Sequence, residues 1–166
     1  MKRITFITLI VLFTFVKGNS QITNLNDLIQ VSGLTVQGLI KNLQYTWEIK
    51  QPITDNSEKG MAKEIYTFAY NKKNEKDYSQ VLKRSISLNL SSGYRIEETH
   101  LISNDMNFLN HLKKELLNRG FELMREEKNY FTYRNRNRDI TLAIQIEVSD
   151  FVKLSKGFYD VGLIVH

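Results

Sequence analysis

The stretch "DITLAIQIEV" places Ile140, Leu142, Ile144, Ile146 and Val148 at every second position. Alternation over that length marks a strand with one buried and one wet face, the usual state of antiparallel sheets. "RSISLNLS" repeats the pattern, with Ile86, Leu88 and Leu90 set against Ser85, Ser87 and Asn89. Such strands need cover on their apolar side, and helical segments supply it. "NLNDLIQVSGLTVQGLIKNLQ" predicts a short helix through Leu25, Leu28 and Ile29, a break at Ser32-Gly33, and a second helix through Val36, Leu39, Ile40 and Leu43. "SNDMNFLNHLKKELLNRG" is the clearest helix, with Leu109, Leu112 and Leu116 on one face. Ser103, Asn104 or Asp105 can cap it, Arg119 falls in its last turn, and Gly120 suits the left-handed position that ends a helix. With Trp47, Ile86, Leu88, Leu90, Phe121, Leu142, Ile144 and Ile146, these helical leucines form the expected core.

The two halves of the chain run in parallel. "KNLQYTWEIK" matches "ELLNRGFELM", where a helix gives way to a strand through Trp47 or Phe121 followed by glutamate. "IYTFAYNKK" matches "YFTYRNRNR", "ISLNL" matches "ITLAI", and "YRIEETHLI" matches "FYDVGLIVH". The order of helix, then four strands, occurs twice, with insertions near 53–62, 71–82 and 149–157. The expectation is an α+β fold built by tandem duplication of a helix plus an antiparallel four-strand unit, with helices on one sheet face. The first unit spans 21–103 and the second 104–166, with Ser92-Gly93 as a tight turn.

Residues 1–20 read differently. Lys2 and Arg3 precede a charge-free apolar run from Ile4 to Val16, and Gly18-Asn19-Ser20 offers small residues before Gln21. That is the pattern of a secretory signal peptide cleaved after Ser20, and the run is shorter than the roughly 20 residues of a membrane span. The whole chain carries 23 basic against 18 acidic residues, a net charge of +5. Three of the basic residues belong to the leader, so the remainder has 20 against 18, or +2. A charge that small argues against a nucleic-acid partner. The chain has no cysteine, which excludes a disulfide scaffold in an exported protein and leaves packing to carry the stability.

Asp27, Leu28 and Ile29, followed by Leu39, Leu43, Trp47 and Glu48, resemble the start of small exported proteins of flavobacterial type. In those, a leader precedes a helical "DLI" segment and a second helix entering an aromatic-Glu strand. The helix-plus-sheet duplication is also similar in architecture to tandem modules of the β-lactamase-inhibitor-protein type, without the cysteines of that family. These resemblances imply a periplasmic or secreted address and carry no functional residue across.

Three constellations could carry function. Arg134, Arg136 and Arg138 alternate, so on a strand they would share one face, with Phe131 and Tyr133 on the other. Such a row can track an anionic polymer of the envelope or an acidic protein surface, or simply protect a sheet edge. In "EETH", Glu98 and His100 fall on one side of a strand, where a carboxylate and an imidazole can bind a metal or move protons, given a third group. Tyr66, Phe68 and Tyr70 share one strand face, opposite Ile65, Thr67 and Ala69. If the aliphatic side is the buried one, a tyrosine-rich face is left for a protein partner; the opposite assignment buries all three.

The chain holds no Gly-x-Ser-x-Gly, phosphate-binding glycine loop or zinc-protease helix. The adjacent acids Glu97-Glu98 and Glu126-Glu127 would face opposite ways on a strand. No cofactor or metal is expected, and an enzyme is less favoured than a binder. The sequence therefore points to a non-catalytic exported module that binds another extracytoplasmic protein through Tyr66, Phe68, Tyr70 and the Arg134, Arg136, Arg138 hairpin, with an inhibitor or immunity protein as the sharpest version. The alternatives are a small enzyme or metal protein using Glu98 and His100, and a binder of anionic envelope polymers.

Overall fold

Among the described residues, apolar side chains at helical spacing build three helices: α1 (Leu25–Ser32), α2 (Val36–Leu43) and α3 (Met106–Asn118). The computed structural model describes residues 21–70, 79–146 and 157–166. Residues 1–20, where a leader is expected, and most of the 71–82 and 149–157 stretches lie outside the described residues. The helices begin on side-chain caps. Asn24 accepts from the Asp27 N–H, Thr35 from Gly38, and Asp105 from both Asn107 and Phe108. Asp105 is thus the cap of α3, and Gly120 just beyond its end takes φ +74°, where a Cβ would be strained.

The strands are β1 (Trp47–Ile49), β2 (Ile53–Asp55), β3 (Met61–Tyr70), β4 (Gln80–Asn89), β5 (Arg95–Ser103), β6 (Glu122–Glu127), β7 (Tyr130–Asn135), β8 (Ile140–Ile146) and β9 (Tyr159–Val165). They form one sheet in the order β1-β3-β4-β5-β9-β8-β7-β6, with β2 also paired to β3. Every pairing is antiparallel. The molecule is therefore α+β and mostly sheet. The order reads outward in the same sense from its centre, where β5 meets β9, and each side ends on the strand that follows a helix.

Residues opposite one another in register share a face. Phe68, Leu82, Leu101, Val161, Ile144 and Phe131 form one such row across six strands. Beside it, Tyr66, Arg84, Thr99, Leu163, Leu142 and Tyr133 form another. The apolar members of these rows join Leu25, Leu28, Leu39, Leu43, Leu109, Leu112 and Leu116 in a single core. The helices thus cover this face, and among the described residues no helix covers the other.

Three expected core residues fall outside it. Leu88 and Leu90 are 38% and 63% exposed, and Ile86 is only half-buried. Their alternation is real, but the helix layer reaches only the Gln80–Arg84 half of β4. The β3–β4 hairpin runs on past it, so the apolar side of its far end stays wet.

Two polar groups fasten the N-terminal helices to the sheet. Gln80 is fully buried; its Oε1 accepts from the Ile22 N–H at 3.0 Å and its Nε2 donates to the Ile22 carbonyl at 2.8 Å. The amide replaces the two bonds a neighbouring strand would make. Gln80→Ala leaves both Ile22 backbone groups buried and unpaired, with an expected loss of about 2 kcal/mol. The check is a denaturant melt, together with faster hydrogen exchange at the Ile22 amide. The second group, Arg84, reaches from β4 to the C-terminal end of α1.

Candidate functional site

The uncovered face has its most polar centre where β5, β9 and β8 lie side by side. Register places His100 opposite Gly162, and Gly162 opposite Ala143. On one side of this row run Asp160, Gln145 and Tyr130, and on the other Glu98, Ile164 and Thr141. In the middle row the glycine makes room for the His100 ring, and the alanine leaves a low floor beside it between two walls of longer side chains. The result is a half-open trough of about 220 Å³, lined by these residues.

His100 lies over Gly162. A Cβ built on that glycine would sit 3.1 Å from the imidazole Cε1 and 3.3 Å from Nδ1. Nδ1 contacts both carboxylate oxygens of Asp160, at 3.2 and 3.1 Å. Nε2 faces Glu98 Oε2 at 4.0 Å, beyond hydrogen-bond range. Burial alone would favour the neutral ring, but the bond to Asp160, the neighbouring Glu98 and their charges outweigh it and raise the His100 pKa to about 9. The imidazolium in turn holds the Glu98 carboxyl below its ordinary value, against burial that would raise it. The unit is an imidazolium clasped between two carboxylates, with Asp160 almost completely buried.

This arrangement limits the chemistry available. The two carboxylates lie at opposite nitrogens of the ring, so the three groups do not converge on one point where a metal could sit. Among the described residues no cluster of three or more metal-ligating side chains occurs. A ring held protonated on both nitrogens is a donor and a weak base. Gly162→Ala tests the clasp. The new methyl displaces the ring by a few tenths of an ångström and lengthens its bond to Asp160. The expected loss is about 1 kcal/mol of stability, and the His100 pKa falls towards 6.5, read by NMR titration.

The residues singled out in the sequence are distributed as follows. Glu98 and His100 do share a side of β5, and the third group is Asp160, from β9. Glu97, one residue before Glu98, points to the helix-covered side, where it pairs with Arg95 at 2.5 Å and faces Arg84 at 3.7 Å. Phe68 is fully buried, and Tyr66 and Tyr70 pack against the core. The aromatic side of β3 is therefore the inner one, and these three residues form no exposed docking face. Trp47 packs on Tyr70 with ring centroids 5.3 Å apart, which fixes that choice.

The arginine row does not form. β7 ends at Asn135, whose Oδ1 accepts from the Arg138 N–H in a turn. Only Arg134 lies on the strand, and it pairs with Asp139 at 2.9 Å. Arg136 is in the turn, 3.8 Å from Glu122, and Arg138 is exposed at the tip. Phe131 and Tyr133 do occupy the other face, inside the core. Asp160 and Gly162 were missed in the sequence. An aspartate and a glycine amid "FYDVGLIVH" are the signals that could have found them, because each weakens an otherwise apolar strand without a local reason.

Comparison with known protein families, with curated proteins and with solved structures finds no match to this chain.

Proposed function

We propose that the protein is a non-catalytic, exported binding module that recognises another extracytoplasmic protein through the uncovered face of its sheet. The observation that carries this reading is the breadth of that face. Ile65, Thr67, Val81, Lys83, Ile96, Ile102, Ile164, Ala143 and Tyr130 lie on it, all half-buried among themselves. The sheet edges favour the face over edge pairing. On one side β1 and β2 have three residues each, and on the other β6 is fully exposed, bulged between Leu123 and Arg125, and rich in charge. Short, bulged and charged edges discourage strand addition.

The strand order supports a tandem duplication, because helix, β1, β3, β4, β5 and helix, β6, β7, β8, β9 take corresponding places about the centre. On this reading β2 belongs to the insertion near 53–62. A leader cleaved after Ser20 and the likeness to small flavobacterial exports support the periplasmic or secreted address, and an inhibitor or immunity role fits both. The polymer-binding alternative loses support, since two of its three arginines already pair with acids. The Asp160 contact favours acid–base work at His100 only if the ring gives up its proton, and its raised pKa opposes that.

Capture from an envelope extract by the tagged, exported protein tests the proposal. A discrete protein partner should be retained in moderate salt, and Ile102→Arg should abolish its capture while Lys114→Glu on α3 leaves it intact. Capture unaffected by Ile102→Arg, or lost in salt with anionic glycans retained, contradicts it.

A further inference from the structure

We propose that the trough beside the His100 ring, floored by Ala143, is a subsite for a single sugar residue, gripped through one hydroxyl shared by His100 and Glu98. The inference rests on the same reading of the uncovered face as a binding face, and adds a ligand class to it. Nε2 of His100 and Oε2 of Glu98 stand 4.0 Å apart, too far to bond each other and too close to admit a separate partner for each along the line between them. One ligand atom about 2.8 Å from each closes a triangle on that base.

The two groups ask different things of that atom. The protonated imidazole donates through Nε2, and the carboxylate only accepts. An ammonium could serve Glu98 but cannot accept from Nε2. A carboxylate could accept from Nε2 but would be repelled by Glu98. A hydroxyl does both at once. Asp160 fixes the ring by holding Nδ1, so the donor is aimed before a ligand arrives, and little ordering is needed on binding.

The rest of the trough suits a polyol ring. The His100 ring covers Gly162, and beside it Ala143 makes a low floor against which a ring can lie. Ile164 and Tyr130 offer apolar wall to C–H groups, while Thr141 adds a hydroxyl. A volume of about 220 Å³ is below the roughly 300–1,000 Å³ of pockets that take drug-sized molecules. It admits one ring and, being half-open, lets the rest of a glycan run out over the sheet.

The test is NMR titration of the exported protein at pH 7 with D-glucose, D-galactose, D-mannose and N-acetyl-D-glucosamine, following the His100 ring nitrogens and the Ala143 and Gly162 amides. At least one sugar should give saturable shifts at these positions, with Kd on the order of 1–10 mM. Glu98→Ala should weaken it about tenfold or more, and Ala143→Phe, which fills the floor, should abolish it. A melt of each variant separates lost binding from lost folding, and Glu98→Ala carries the test alone if Ala143→Phe does not fold.

Retention on immobilised envelope polysaccharide, or on a glycoprotein but not its deglycosylated form, then identifies which carries the sugar. The absence of any saturable shift on the order of 100 mM, where such a site would be filled, overturns the proposal, as does binding indifferent to Glu98→Ala. Protein capture that needs Ile102 but not Glu98 would leave the binding face standing and remove only the sugar subsite.

Discussion

Replacing Arg84 with alanine should destabilise the protein by about 3–5 kcal/mol, as expected when one partner of a buried charged network is removed. Arg84 is 2% exposed. Its Nη2 donates to the carbonyls of Val31 at 3.3 Å, Ser32 at 2.5 Å and Leu34 at 2.7 Å, and its Nη1 lies 3.7 Å from Glu97. Those carbonyls belong to the end of α1 and the turn after it, where Val31 also accepts from the Leu34 N–H and the helix dipole favours a cation. Burial lowers the guanidinium pKa, with the Glu97 charge opposing, but arginine stays protonated.

Alanine would take the arginine donor from the Ser32 and Leu34 carbonyls, while Val31 keeps the Leu34 N–H, and would open a hole in the β4–α1 contact. Arg84→Met refills the hole and still strands the carbonyls, so it should recover part of the loss and no more. Arg84→Lys keeps the charge but is shorter and cannot offer one nitrogen to the carbonyls and another to Glu97, and should fall between. Urea melts with an unchanged m-value would show these as changes in stability alone. A loss under 1 kcal/mol for Arg84→Ala would mean that water or a local shift satisfies the end of α1.

The second large effect is on pH dependence. His100 titrates at 6.5 in the unfolded chain and at about 9 in the folded protein. The folded state therefore holds the extra proton more tightly. That stabilisation is complete below pH 6.5 and disappears as pH rises through about 9. Each unit corresponds to about 1.36 kcal/mol. The His100 side chain is 32% exposed, so solvent screening reduces the full figure, to about 2 kcal/mol. Glu98 contributes with the opposite sign, because its lowered pKa adds stability above the ordinary carboxylate range that is lost as pH falls through the folded value. The clasp should thus be strongest between the carboxylate range and pH 6.5. The difference in unfolding free energy between pH 6 and pH 10 should be about 2 kcal/mol larger for the native chain than for His100→Gln. A His100 Cε1–H titration with its midpoint near 9 agrees; a midpoint near 6.5 does not.

Much of the fold was legible because it is written in local periods. α3 announces itself by Leu109, Leu112 and Leu116 and by the Asp105 and Gly120 signals at its ends. β8 announces itself by Ile140, Leu142 and Ile144. What the periods do not encode is how far a layer extends, so Leu88 and Leu90 kept their alternation beyond the helices that would have covered it. The arginine row failed for a related reason. Asn135, Asn137 and Asp139 are turn formers, and the regular spacing of the arginines concealed them. Asp139 even adopts φ +50°, tolerable for aspartate in a turn and foreign to a strand.

The site was half legible. Two residues apart on one strand, Glu98 and His100 had to share a side. Asp160 lies 60 positions from His100, and only the pairing of β5 with β9 brings them together. That pairing sets the centre of the sheet and depends on long-range packing. The side of β3 that is buried was likewise a tertiary question. Trp47 and the helices decided it by covering Tyr66, Phe68 and Tyr70.

Site-specific photo-crosslinking in the envelope tests whether the partner binds on the uncovered sheet face. A photoreactive residue in place of Ile102, on that face, should give a discrete adduct with one protein. The same residue in place of Leu117, exposed on the outer side of α3, should give none. An adduct from position 117 and none from position 102 would mean that the helical side, not the sheet face, meets the partner.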